Sequence, residues 1–345
     1  MKLKNFLIGL ALAIGVSGAW MAWDYYSRFF KPNVHLDDSS IEFYIHSDWG
    51  FEELAHQLFI QQVIGDSASF AWAADYKKYT ANVKPGRYII LDGMNNNQLV
   101  NLLRSGEQEP INVIVRSVRT TSELAATVGR NLEADSTAFM ELINSSGFCQ
   151  RYGFSPTTII TMFIPNTYQF YWNTSAEEFI ERMAREYKRF WTDERIQKAR
   201  KLGLSQSEVT TLASIVQAEQ AAHPDERPVV AGLYLNRLRK GMRLESDPTL
   251  IHAIGDYTIK RVLNVHKEVD SPYNTYKNVG LPPGPILLPE TSSIDAVLDA
   301  KSHNYVFMCA KEDFSGYHNF SSSYRDHVNN ANRYRRALNQ RKIYR

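Results

Sequence analysis

The uncharged apolar run from Phe6 to Trp23 constrains this 345-residue chain more than any other feature. As a helix, eighteen residues reach about 27 Å, close to the hydrocarbon thickness of a bilayer. Lys2 and Lys4 precede the run, and Trp20, Trp23, Tyr25 and Tyr26 stand at its far end like an interfacial aromatic belt. A cleaved signal peptide would use the small residues of "VSGAW", but the apolar run continues past them, which favours an uncleaved anchor. Residues 1–5 then form a cytoplasmic tail and residues 6–24 the span. The positive-inside bias puts everything after Asp24 outside the cytoplasm.

The rest of the chain is too long for one small core and suggests two domains. A formal net charge of +2 does not suggest nucleic acid as a partner. Cys149 and Cys309 could form one bridge or stay as two buried thiols. CxxC, HExxH and phosphate-loop patterns are missing, and the nine histidines do not cluster at metal-ligand spacing. Neither a metal nor another cofactor is expected.

Residues 25–40, ending in "KPNVHLDDSS", read as a polar linker. Short strands at 41–45, 84–90 and 111–115 alternate with helices at 51–62, 69–79 and 95–106, the last ended by Gly106. From Thr121 to Leu204 helices dominate, interrupted by an aromatic loop at 162–175 with Pro165, Asn166, Tyr168, Tyr171 and Trp172. "NYVFMCA" (304–310) reads as a strand, and the last fifteen residues as a basic, solvated helix. The class is α+β.

Chemistry concentrates in the second half. Ser205 and Glu208 form a capping signature for a helix whose apolar residues Val209, Leu212, Ile215 and Val216 share a face with Glu219. Glu219 could turn to solvent or pair with Arg227 or Arg237. Alternatively it is a buried general acid, since burial disfavours the charged form and keeps a proton available. Asn236 is a second polar residue on an apolar helix face, followed by a turn with Asp247 and Pro248. The segment 271–289 holds five prolines with Gly280 and Gly284, which prescribes a rigid irregular loop carrying Tyr273, Asn274, Thr275 and Tyr276. His318, Asn319 and His327 follow. One candidate acid, amide and hydroxyl donors and aromatic faces suit a glycan better than a compact apolar ligand.

"LASIVQAE", "ERPVVAGLYLNRLRKGMRLESDPT", "SPYNTYKNVGLPPGPI" and "YHNF" stand in an order and spacing that resemble the YceG-like endolytic murein transglycosylases, the MltG type. The resemblance is densest over residues 160–330. It implies an inner-membrane, single-pass enzyme with a LysM-like subdomain at 41–116, marked by "KPGRYIILDGM", and an extracytoplasmic catalytic domain at 117–345. Such an enzyme cuts nascent peptidoglycan strands internally, between N-acetylmuramic acid and N-acetylglucosamine. It leaves 1,6-anhydro ends and terminates strand elongation. The family's catalytic Glu falls on Glu219, and the candidate substrate-binding residues are Asn236, Asp247, Tyr273, Asn274, Tyr276, His318 and Asn319.

The chain departs from the family at Gln217, where many members carry a further Glu, and at Ile160, Thr161 and Asn166. A lytic transglycosylase needs only one carboxyl, because the sugar's C6 hydroxyl replaces water as nucleophile, whereas ordinary glycosidases use two. Two other readings stay open. One is a non-catalytic peptidoglycan-binding scaffold tethered near peptidoglycan synthases, which are candidate partners. The other is a lysozyme-type hydrolase.

The anchor makes a direct prediction. A reporter fused after Pro32 is expected to work only if it functions outside the cytoplasm, and the mature protein is expected to keep its first residues. A reporter active in the cytoplasm, or an amino terminus beginning after Ser17, contradicts this topology.

Overall fold

The computed structural model describes residues 2–259 and 261–341. Met1 of the expected tail and residues 342–345 of the expected basic helix lie outside the described residues. The chain divides into two compact units. The first contains residues up to Asn112 together with Asn131–Glu133 and Gln169–Ser175, and the second contains the remainder.

In the first unit, α1 (Lys2–Phe30) is one unbroken helix, apolar and long enough from Leu3 onward to cross a membrane. Its last turns behave differently from the rest. Phe29 is buried and meets Trp72 and Tyr76 edge-on at 5.1 and 5.3 Å. Tyr25 meets the same two rings at 6.0 and 5.9 Å. Tyr25, expected in an interfacial belt, is therefore part of a protein aromatic cluster, while Trp20 and Trp23 remain exposed.

The expected linker at 25–40 needs correction. Residues 25–30 finish the helix, and Pro32 and Val34 make β-bridges to Asn95 and Ile64. Two buried asparagines explain why this polar-looking stretch is held. Asn33 donates to Asn96 Oδ1 at 2.8 Å and accepts from the Asp66 N–H at 2.7 Å. Asn96 in turn donates to the Arg28 carbonyl at 2.8 Å. Buried amides must find partners, so each one fixes the backbone it bonds.

The unit continues as β1 (Ser40–Ile45), α2 (Phe51–Ile60), α3 (Ser67–Tyr76), β2 (Gly86–Leu91) and α4 (Asn96–Ser105). β1 and β2 pair antiparallel with Phe43 opposite Tyr88. Strand alternation turns Phe43, Ile45, Tyr88 and Ile90 inward, onto a core with Leu54, Leu58, Phe70 and Leu99. Asp66 caps α3 through the N–H groups of Ala68 and Ser69, and Asn95 with Gln98 makes a capping box for α4. Gly106 closes α4 at φ 74°, the left-handed conformation that glycine adopts without a Cβ penalty. Next, β3 (Ile111–Val115) leads out of this unit.

The second unit begins with α5 (Thr121–Asn131), α6 (Ser136–Asn144) and α7 (Ser146–Arg151). The aromatic stretch expected as a loop instead contains β4 (Asn166–Phe170), whose Gln169 and Phe170 belong to the first unit and whose Tyr168 and Phe170 are buried at strand spacing. Then come α8 (Ala176–Phe190), α9 (Asp193–Leu202), α10 (Gln206–Glu219), α11 (Arg227–Arg239), α12 (Asp247–Ile254) and α13 (Thr291–Leu298). A hairpin of β5 (Phe307–Ala310) and β6 (His318–Ser321) precedes the final α14 (Tyr324–Gln340). α10 is the axis, packed by α9, α11, α12 and α13. Cys149 and Cys309 are both free thiols.

Gly232 lets α11 approach the chain that leads to β5. A Cβ there would stand 2.3 Å from the Lys301 carbonyl oxygen and 2.7 Å from His303 Nε2. That backbone is itself held, since the Lys301 N–H donates to the Pro228 carbonyl at 2.9 Å. Gly232→Ala is therefore expected to destabilise the full chain by about 1–3 kcal/mol, the usual cost of overpacking. Thermal unfolding in detergent checks this, and an unchanged midpoint would contradict the close approach.

Candidate active site

The capping box predicted for α10 is present. Ser205 Oγ accepts from the Glu208 N–H at 3.3 Å, and Glu208 Oε2 accepts from the Ser205 N–H at 2.8 Å. The expected single apolar stripe is not what distinguishes the helix. Every residue from Val209 to Gln217 is buried, so α10 is wrapped on all sides. What distinguishes Glu219 is its place as the last helical residue, half-buried where that wrapping opens into a cleft.

The carboxyl is held by neutral donors. Tyr234 Oη donates to Glu219 Oε1 at 2.7 Å, and Ser246 Oγ donates to the same oxygen at 2.5 Å. Among the described residues, no protein donor lies within hydrogen-bond distance of Oε2. The two arginines that could have neutralised Glu219 are committed elsewhere: Arg227 to Glu290 at 2.9 Å and Arg237 to Glu245 at 2.9 Å. Both guanidiniums also bond backbone carbonyls, Arg227 that of Gln220 and Arg237 that of Val306. Gln217 is equally committed, accepting from the Glu290 N–H at 2.7 Å and donating to Ser117 Oγ at 3.2 Å.

Burial pushes the Glu219 pKa up, with the Asp247 carboxylate adding to the rise. The two hydroxyl bonds and His318 oppose it without cancelling it. The negative end of the α10 macrodipole also disfavours a charge at this position. Tyr234 is raised well above its ordinary value by burial and by Glu219 beside it, so it stays a hydroxyl donor.

The cleft has a volume of about 390 Å³ and brings Glu219 together with Tyr234, Asp247, Tyr276 and His318. Tyr276 Oη donates to Asp247 Oδ1 at 2.6 Å. His318 Nδ1 lies 2.7 Å from the buried Glu226, which also accepts from the His318 N–H at 2.9 Å. Four of the expected site residues, Glu219, Asp247, Tyr276 and His318, thus line one cavity.

The other four do not line it. Asn236 donates to the carbonyls of His303 and Tyr305 at 2.7 and 3.0 Å, so its amide shapes the approach to β5. Asn319 donates to Glu312. Tyr273 packs on His252, with ring centres 4.6 Å apart. Asn274 is fully buried and donates to the carbonyls of Lys267 and Val269 at 2.9 and 2.8 Å. The role of Asn274 is architectural, because it closes the loop beside Thr275. Thr275 Oγ1 accepts from the Ser246 N–H at 3.0 Å, and Ser246 is the residue that donates to Glu219. The rigid loop therefore reaches the carboxyl through one intermediary.

Tyr234, Ser246 and Glu226 were not among the expected site residues. Ser246 had a signal, since it stands at a helix N-cap position before Asp247 and Pro248. Glu226 had none, as its partner is 92 residues away. In the first unit, ligand-type atoms of His46, Asp48 and Glu133 lie within 4.8 Å of one another, a grouping that spacing along the chain could not reveal. The Glu133 oxygens already accept from the Ser47 N–H and hydroxyl, at 2.7 and 2.5 Å.

Comparison with known proteins finds relatives of this chain. An endolytic murein transglycosylase of Bacillus subtilis is 26% identical over 86% of this chain and 85% of its own length. One from Streptococcus pneumoniae (serotype 2) is 25% identical over 94% of this chain, which spans 64% of that longer protein. The crystal structure of a YceG-like protein from Listeria monocytogenes superposes with a TM-score of 0.55 at 26% identity, covering 84% of this chain and 98% of the other. The profile of the YceG-like family matches residues 43–333, which is most of the sequence, and the chain therefore belongs to the YceG-like family.

Proposed function

We propose that this chain is a membrane-anchored endolytic peptidoglycan lytic transglycosylase of the inner membrane, with Glu219 as its single acid and base. The observation that carries the reading is a carboxyl lining a cleft, held by two neutral hydroxyls, unpaired with any cation among the described residues and raised in pKa by burial. The names of the relatives supply the substrate class, the glycan of murein.

The geometry suggests how the steps divide. With Oε1 accepting from Tyr234 and Ser246, the proton resides on Oε2, the oxygen free to meet substrate. Glu219 donates that proton to the glycosidic oxygen as the bond from the N-acetylmuramic acid anomeric carbon breaks. The N-acetylglucosamine side leaves with a free 4-hydroxyl. The muramic C6 hydroxyl then attacks the anomeric carbon, and the Glu219 carboxylate takes its proton. This closes the 1,6-anhydro ring and restores the acid. Tyr276, paired with Asp247, and His318, held by Glu226, are suited to reading sugar hydroxyls along the cleft. The β1–α2–α3–β2 order of the first unit supports a LysM-like reading of that unit.

Glu219→Gln keeps the shape but removes the acid, and should slow release of anhydro-muramyl products about a hundred- to ten-thousand-fold. Mass spectrometry of uncrosslinked glycan digested by the full chain measures this. A folded variant with near wild-type rate would move the role to another carboxyl, Asp247 first. Reducing ends in place of anhydro ends would assign a hydrolase.

The raised pKa gives a second expectation. The rate should fall as pH rises through the Glu219 value, because the acid form is lost. Stability follows the same sign. The unfolded chain ionises this group above about pH 4.3, while the folded chain holds its proton longer. Wild type should therefore lose stability relative to Glu219→Gln across the window from the unfolded to the folded value. Parallel unfolding curves at all pH values would contradict the shift.

A further inference from the structure

A second cavity, of about 360 Å³, lies in the same unit as the acid cleft, and its lining includes Ala218 and Pro248. Their chain neighbours Glu219 and Asp247 line the acid cleft. The two cavities therefore share a wall built from the end of α10 and the start of α12. The second cavity differs sharply in chemistry. Among the described residues, no carboxylate lines it. Its walls are apolar at Ala218, Ala221, Ile251 and Ile286, and burial pushes the His252 pKa down.

Among the described residues, Arg119 is the one fixed cation on the lining. Its guanidinium lies over the Tyr257 ring, 4.4 Å from the centroid, and has no carboxylate partner among the described residues. The nearby Glu123 carboxylate is bonded to the Arg119 backbone N–H at 2.8 Å instead. A planar cation oriented by an aromatic face, at a cavity of largely apolar walls, matches a carboxylate on a short peptide with apolar side chains.

We propose that this cavity is a subsite for the peptide stem carried by the lactyl group of muramic acid, with Arg119 binding a stem carboxylate. The inference rests on the glycan reading of the acid cleft. A sugar placed there would have its lactyl substituent within reach of the shared wall. The subsite gives the enzyme a way to favour strands that still carry their peptides over stripped glycan, which is the distinction between newly made and amidase-processed wall.

The test uses the full chain in detergent with two uncrosslinked glycans, one bearing intact stems and one stripped by an amidase. Wild type should show a KM about ten-fold lower on the stem-bearing strands, and Arg119→Ala should bring that ratio close to one, as expected for loss of a charged hydrogen bond. Ala221→Trp, which fills the cavity from a surface position, should do the same. A ratio unchanged in both variants, or absent in wild type, overturns the subsite.

Calorimetry with N-acetylmuramyl-alanine and its carboxamide reads the pocket without catalysis. Binding of the acid that is lost in the amide and in Arg119→Ala supports the subsite, and equal binding of acid and amide overturns it. A chain that binds the acid in this way but cuts neither glycan would keep the subsite and refute the proposed activity.

Discussion

The account turns on how one carboxyl group is solvated by protein. Among the described residues Glu219 has two hydroxyl donors and no cation partner, although Arg227 and Arg237 stand on the next helix. An arginine partner would have stabilised the ionised form and made the group a structural ion pair. Two neutral hydroxyls pull the pKa down without overcoming burial, which leaves it raised. Placing both arginines on other carboxylates and on backbone carbonyls is therefore as important to the site as placing the acid.

Much of the surrounding structure can be read as support for that arrangement. Arg237 ties α11 to the start of β5, and Arg227 ties it to α13. The proline-rich loop delivers Thr275 to Ser246, and Gly284 lets the loop pass where a Cβ would stand 2.6 Å from the Thr157 carbonyl oxygen. Of these, Thr275 reaches the carboxyl through Ser246. Buried polar residues such as Asn236 and Asn274 belong to this framework without lining the cleft.

The elements were largely legible in the sequence because their signals are local. The box of Ser205 and Glu208, the closure by Gly106 and the alternation of β1 each depend on residues a few positions apart. Glu219, Asp247, Tyr276 and His318 were legible as a group, through chemistry and family resemblance together. What could not be read was which polar side chain turns inward to bond backbone. Asn236 and Asn274 look like ligand-reading amides in a string of letters, and only the fold shows that their amides bond the His303 and Lys267 carbonyls. The linker failed for a related reason. Polar composition suggested solvent, but Asn33 finds its partners 33 and 63 residues away.

The central claim is that Glu219 keeps its proton in the folded protein at pH values where an ordinary glutamate has lost it. Carbon-13 NMR of carboxyl-labelled glutamate in the full chain reads this directly, with the Glu219 resonance assigned as the one missing from Glu219→Gln. The account predicts a titration midpoint clearly above the ordinary value of about 4.3. A midpoint at or below that value would show a carboxylate stabilised as an anion, and the single-acid reading of the cleft would be wrong.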